Sequence, residues 1–260
     1  MANVAFDAAS NSGYQTISTY SWSHTCSGSE RVLVVGVSML SVAGSNVTGI
    51  THNGVALTKI RSDVSLSGTV RTELWALTAP ATGAKTIEVT LSIALDSIAG
   101  AISLTGTDQS TPEDGDTGTR GVGGPATVDL VTTTNGSWVL DVVATDDTAI
   151  TVGSGQTQRW NVTGTLGSGA GSTEGPKDPA GSVTMSWDNV GTLSSWVIST
   201  VAIRPSQATT TSTSSSTSTT STSSSTSTST TSTSTSTTST STSTTSTSSS
   251  TSITTSTTTT

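Results

Sequence analysis

From Thr209 to Thr260 every residue except Ile253 is serine or threonine. Such a run has almost no apolar surface to bury, so nothing offsets the entropy of ordering it. The core must come from what precedes it. The sequence therefore predicts one folded region, 1–205, followed by a disordered linker or stalk, 206–260. As a flexible coil that stalk spans about 40 Å from end to end. Its hydroxyls are also acceptors for O-linked sugar, which would stiffen it.

All seventeen acidic and nine basic residues lie before the tail, so the folded region carries the whole net charge of −8. Nucleic acid needs a positive stripe and anionic lipid needs a positive patch; neither is expected as a partner. No run approaches the ~20 apolar residues of a membrane span, so no insertion is expected. "MANVAFDAAS" lacks a basic segment followed by an apolar run, so no secretory leader is read there. Cys26 is the single cysteine, which excludes an intrachain disulfide and lacks metal-type spacing; it reads as a small, partly buried side chain.

Within 1–205, period-2 alternation replaces any helical period. In "KTIEVTLSI", Ile87, Val89, Leu91 and Ile93 alternate with polar residues, giving one buried and one wet face. "SVTMSW" repeats this with Val183, Met185 and Trp187. "RVLVVGVSML", "SWVLDVVA" and "SSWVISTVAI" are apolar on both faces, as in a strand covered on each side. Asn53-Gly54 and Asn135-Gly136 predict type I′ hairpins. Ten to thirteen strands of this length require two packed sheets or a closed barrel. "RVLVVGVS", "GITHNGVALTKI" and "TIEVTLSIALDSIAGAISLTGT" are echoed by "SWVLDVVAT", "AITVGSGQTQRW" and "SVTMSWDNVGTLSSWVISTVAIRP". A duplicated four-strand unit would build an eight-stranded jelly roll, with "NVAFD" and "YQTISTYSW" as added strands. The expected fold is all-β: a two-sheet antiparallel β-sandwich wired as a jelly roll.

Two glycine-rich stretches, "TDQSTPEDGDTGTRGVGGPA" from Thr107 and "TGTLGSGAGSTEGPKDPAG" from Thr163, read as long loops. They are the first places to look for binding. Glu113, Asp114 and Asp116 alternate in the first and form a weak calcium constellation that lacks the other positions of an EF-hand loop; a polar turn explains them better. His24 and His52 have no metal-type partners in spacing and read as satisfied or solvated. Glu73 and Glu88, weak candidates for paired carboxylates, read as solvated outward-facing side chains. Of six tryptophans, Trp138, Trp187 and Trp196 read as core. Trp160 and Trp22 are the better sugar-stacking candidates, with core packing the simpler explanation of each. No catalytic residue and no cofactor is assigned.

"SERVLVVGVS", "THNGVALTKI", "TELWALTAPATGAKTIEVTLS" and "TVGSGQTQRWN" resemble a largely uncharacterised β-sandwich domain of phage and environmental bacterial surface proteins. In that group a Ser/Thr-rich segment often follows the domain. The resemblance covers 1–205 and implies a role on a virion appendage or cell surface; it supplies no functional residues. The expected function is a non-enzymatic structural or adhesion module, a virion decoration or fibre-type component. It would work at the virion surface or outside the cell with other virion or cell-surface proteins and host glycans. A carbohydrate-binding adhesin and a sandwich-fold glycan hydrolase are the alternatives.

Overall fold

The computed structural model describes residues 3–40 and 44–207; the linker assigned to 206–260 lies outside them from 208 onward. The described residues form seventeen β-strands. The first nine are β1 (Ala5–Gln15), β2 (Thr19–Cys26), β3 (Val32–Leu40), β4 (Val47–His52), β5 (Val55–Ala56), β6 (Thr58–Val64), β7 (Val70–Thr78), β8 (Gly83–Leu91) and β9 (Ser97–Thr105). The others are β10 (Glu113–Val122), β11 (Ala126–Val131), β12 (Ser137–Thr145), β13 (Thr151–Val152), β14 (Thr157–Thr163), β15 (Ser168–Lys177), β16 (Ser182–Asp188) and β17 (Ser195–Ile203).

The sandwich expected from alternation is present, and the duplication within it is larger than the sequence echo implies. β1-β9-β3-β7-β6 form one five-stranded sheet, opposed by β2-β8-β4-β5. β10-β17-β12-β15-β14 repeat the first order, opposed by β11-β16-β13. The strand pairings among the described residues are all antiparallel. The first half is thus a complete jelly roll, β1-β9-β3-β7 facing β2-β8-β4-β5 with β6 added beside β7; the second repeats this wiring with three strands, β11-β16-β13, in the facing sheet. The repeated unit is a whole sandwich, and four sheets stand where two were read. "NVAFD" and "YQTISTYSW" supply β1 and β2, the counterparts of β10 and β11 in the second half.

Three apolar clusters fill the four-layer stack. Leu33, Val35, Val37, Ile50, Ile87 and Val89 lie inside the first sandwich. Val139, Val143, Met185, Trp187 and Ile198 lie inside the second. Between them, Val32, Val34, Leu74, Ile98 and Ile102 meet Leu140, Val142, Val197 and Val201. This third cluster is why β3 and β17 are buried at every position. One face serves its own sandwich and the other serves the junction. Gly36 packs on Val142, and Ser38 Oγ donates to the Val143 carbonyl at 2.7 Å. β3 and β12 therefore cross the junction side by side in the same direction. Other contacts come in matched pairs, Tyr14 of β1 against Gly164 at the end of β14 and Arg120 of β10 against Val64 at the end of β6. The junction is isologous, like a homodimer interface within one chain, with its pseudo-twofold axis along the strands.

The glycine-rich stretches are strands, a correction to their reading as loops. Residues 113–122 form β10 and 168–177 form β15. Glycine there makes room for indoles: a Cβ on Gly171 or on Gly100 of β9 would overlap Trp160, and one on Gly121 would overlap Trp196. Asn53 and Gly54 have φ of 52° and 79°, as a type I′ turn demands. Gly136 has φ +80°, but Asn135 is not left-handed. Its turn is not a type I′ hairpin, because β11 and β12 belong to different sheets.

Candidate functional site

The candidates named from sequence divide sharply by environment. Asp114 is buried and accepts hydrogen bonds from Thr133 N (2.9 Å), Thr134 N (3.0 Å), both threonine hydroxyls and Ser137 Oγ. Burial alone would raise its pKa; those bonds outweigh it and hold the carboxyl below the ordinary value. It ties the β11–β12 connection to β10. Asp116 pairs with Arg61 of the other sandwich, and Glu113 is exposed at a register shift. Among the described residues no group of three or more His, Cys, Asp or Glu is placed to hold a metal ion.

Trp160 is 4% exposed and belongs to the cluster between the sandwiches. Trp22 is half-buried on the inner face of β2, stacked on Tyr20 and donating Nε1–H to Ser10 Oγ at 2.9 Å. Both take the packing role. Trp187 and Trp196 are core as expected, and Trp138 is partly buried against the junction.

The strongly buried titratable groups serve folding. Glu73, expected to be solvated, is fully buried: Lys59 Nζ lies 2.8 Å away, and Trp75 Nε1 and Val47 N donate to it. Glu88 is exposed. Asp141 sits inside the second sandwich, accepting from Trp187 Nε1 (2.8 Å), Ser172 N (2.6 Å), Ser172 Oγ (2.9 Å) and Gln156 Nε2 (3.3 Å). Burial raises its pKa to about 6 against those donors. His24 bonds Ser10 and Ser103, and burial, with His52 nearby, lowers its pKa to about 4. His52 is neither satisfied nor solvated, since it is buried with no partner on either ring nitrogen.

Asp141 and His24 pull in opposite directions with pH. The His24 pKa is depressed, so its contribution is whole above pH 6.5 and is lost as pH falls toward 4. The Asp141 pKa is raised, so its contribution is whole below pH 3.8 and is lost as pH rises through 6. Each shift amounts to about 3 kcal/mol. Wild-type denaturation midpoints should change little between pH 7 and 4.5. His24→Asn should become more stable on acidification across that window and Asp141→Asn less stable. Parallel profiles for all three proteins would refute this pairing.

The surface feature that stands out was missed from sequence. Nine large apolar side chains are exposed among the described residues, and six share one end of the stack: Ile17, Leu66, Ile93, Val122, Leu166 and Leu193. They form two sets related by the pseudo-twofold. Ile17 and Ile93 come from β1–β2 and β8–β9 of the first sandwich, Leu166 from β14–β15 of the second. Val122 is the last residue of β10, Leu193 comes from β16–β17 and Leu66 from β6–β7. Each set is tied together: Tyr14 OH donates to Asp96 and bonds Thr165 in one, Ser67 Oγ donates to Ser195 Oγ and Gly123 N to Ser194 O in the other. Leu193 is 88% exposed and Leu66 66%. Asp96 is the charged residue of these loops, which contain no lysine or arginine, and Asp147 of the β12–β13 connection accepts from Gly191 N and Ser194 Oγ beside Leu193. The described chain ends at Gln207, at the opposite end, where Ser206 N bonds Gly106 O. An apolar, mildly acidic tip of this kind suits contact with a protein surface and not with an anionic one. No family model, curated protein or solved structure matches the chain.

Proposed function

We propose that this chain is a non-enzymatic, surface-exposed structural or adhesion module of the virion-decoration or fibre type, and that its six-aliphatic loop end makes the contact. The observation that carries the reading is the placement of that end. Its apolar tips lie opposite the point where the described chain passes toward the Ser/Thr segment. A doubled sandwich whose halves share a buried apolar cluster is a stiff spacer, suited to holding such a face outward. The hydroxyl-rich continuation supplies reach.

The test has two arms. Mass spectrometry of purified particles and cell envelopes should find the chain there. Purified protein added back to those particles or envelopes should be retained, and Leu66→Asp/Leu166→Asp/Leu193→Asp should reduce retention at least about tenfold, since each tip contributes ~1.5–3 kcal/mol when buried. Thermal stability should hardly move, because surface changes stay within about ±0.5 kcal/mol. Undiminished retention of the variant, or confinement of the chain to the soluble cell fraction, overturns the reading.

A further inference from the structure

We infer that the free edge of β10 pairs with β10 of a second copy, joining two chains through a continuous antiparallel sheet. Four strands edge the two inner sheets, and three are interrupted within their pairing: β1 between Phe6/Ala8 and Asn11/Tyr14, β6 between Lys59/Arg61, β14 between Gln158/Trp160. Such bulges are how a protein blunts an edge. The shift in β10 falls at its very start, between Glu113 and Gly115, and from Asp116 to Val122 its register against β17 is unbroken. A straight edge of this length is a template for another strand.

The ladder fixes which groups that edge offers. Gly123 N bonds Ser194 O at 2.9 Å, continuing the β10–β17 register. By alternation, the amides and carbonyls of Asp116, Gly118, Arg120 and Val122 point away from β17. Open grooves flank the strand on both faces. One, of about 330 Å³, is lined by Asp63, Val64 and Arg120; the other, of about 520 Å³, by Thr117, Thr127, Asp129 and Thr184. Gly118 carries no side chain of its own; the Asp63 carboxylate and Arg61 of the first sandwich occupy the space a Cβ would take there, on the face of the strand.

The charges select the occupant. In an antiparallel pairing centred on Gly118, residue 116 faces residue 120 of the other copy, and all facing residues belong to the outward set. Asp116 then opposes Arg120 twice, once on each side of the twofold. Shifting the centre to 117 or 119 removes both matches. Opposite charges across a ladder are favourable and like charges unfavourable, so this segment, DTGTR, is complementary to itself. Asp116 also contacts Arg61, and Arg120 donates to Val64 O at 3.1 Å, which holds both side chains along the edge. The pairing is independent of the role assigned to the loop end, because the edge runs along the side of the stack.

Sedimentation of the full chain over a concentration series should show mass rising from 25.9 kDa toward twice that value. Arg120→Asp alone and Asp116→Arg alone should each stay monomeric, since each places like charges opposite one another. An equimolar mixture of the two should associate, because both facing pairs become complementary again. As a check on register, Thr117→Cys mixed with Thr119→Cys should form a disulfide-linked dimer under oxidation, and Thr117→Cys by itself should not. Melting temperatures confirm that each variant is folded. A wild-type chain that is monomeric throughout overturns the inference, as does association unaffected by the single charge changes or not restored by mixing them.

Discussion

Residues 1–106, produced without the second sandwich, are expected to fail as a soluble monomer although they contain a complete jelly roll. Their own core remains inside the half, but Val32, Val34, Leu74, Ile98, Ile102 and Leu104 would face water across a five-stranded sheet. A contiguous apolar face of that kind exceeds what monomeric proteins normally expose. Residues 107–207 carry the complementary face, including Leu140, Val142, Trp160, Val197 and Val201. Co-expression of the two pieces should therefore recover a soluble one-to-one complex. The junction is isologous, so the isolated first half has a second option: self-association through the same face. Size-exclusion chromatography with light scattering distinguishes these states. A first half that is soluble, monomeric and cooperatively folded would show that the junction cluster does not hold the stack together.

Truncating Trp160 to alanine is expected to cost roughly 3–5 kcal/mol, as for other buried aromatics. The indole is the largest side chain fully committed to the junction, and it rests where Gly100 of one sandwich and Gly171 of the other leave space. Gly100→Val tests the same contact from the other side. Its side chain would collide with the ring, and overpacking typically costs ~1–3 kcal/mol. The two changes together should be less damaging than their sum, since the valine would partly fill the space vacated by the indole. Urea denaturation of the four proteins measures this. Strict additivity, or a loss below 1 kcal/mol for the alanine variant, would contradict the packing described.

How much of this was legible beforehand depends on what a residue type can signal alone. The alternation read in 85–93 and 182–187 located β8 and β16 and their buried faces, since period and polarity are local properties; Ile93, read as part of the buried face, lies beyond β8 and is exposed. Apolar residues on both faces of β3, β12 and β17 correctly indicated covered strands. They could not say whether the second cover was a sheet of the same sandwich or another sandwich, so two stacked jelly rolls read as one. The copies share a pattern more than residues: Gly36 has Val142 as its counterpart, and Val35 has Asp141. Glycine misled for a physical reason. It serves turns and it serves as the hollow under an indole, and only the partner ring tells the two apart. Glu73 and Asp141 sit in strands where a charge implies a buried partner; that signal was present in Asp141, flanked by Leu140 and Val142, and went unused. The loop-end aliphatics were visible one at a time in "SLSG", "TLGS" and "TLSS", but their convergence depends on topology.

The position of β17 bears on how the body carries load. It is the last strand before the Ser/Thr segment, yet it is not peripheral, being hydrogen-bonded to β10 on one side and β12 on the other. Tension between the loop end and the C-terminal segment would run along this strand, perpendicular to its ladder bonds, so that both rows resist together. Ala5, the start of β1, lies at the same end of the stack, but β1 is an edge strand bonded only to β9, so tension applied there loads a single row. Pulled from its C-terminal side the body should therefore hold to a higher force than when pulled from its N-terminal side.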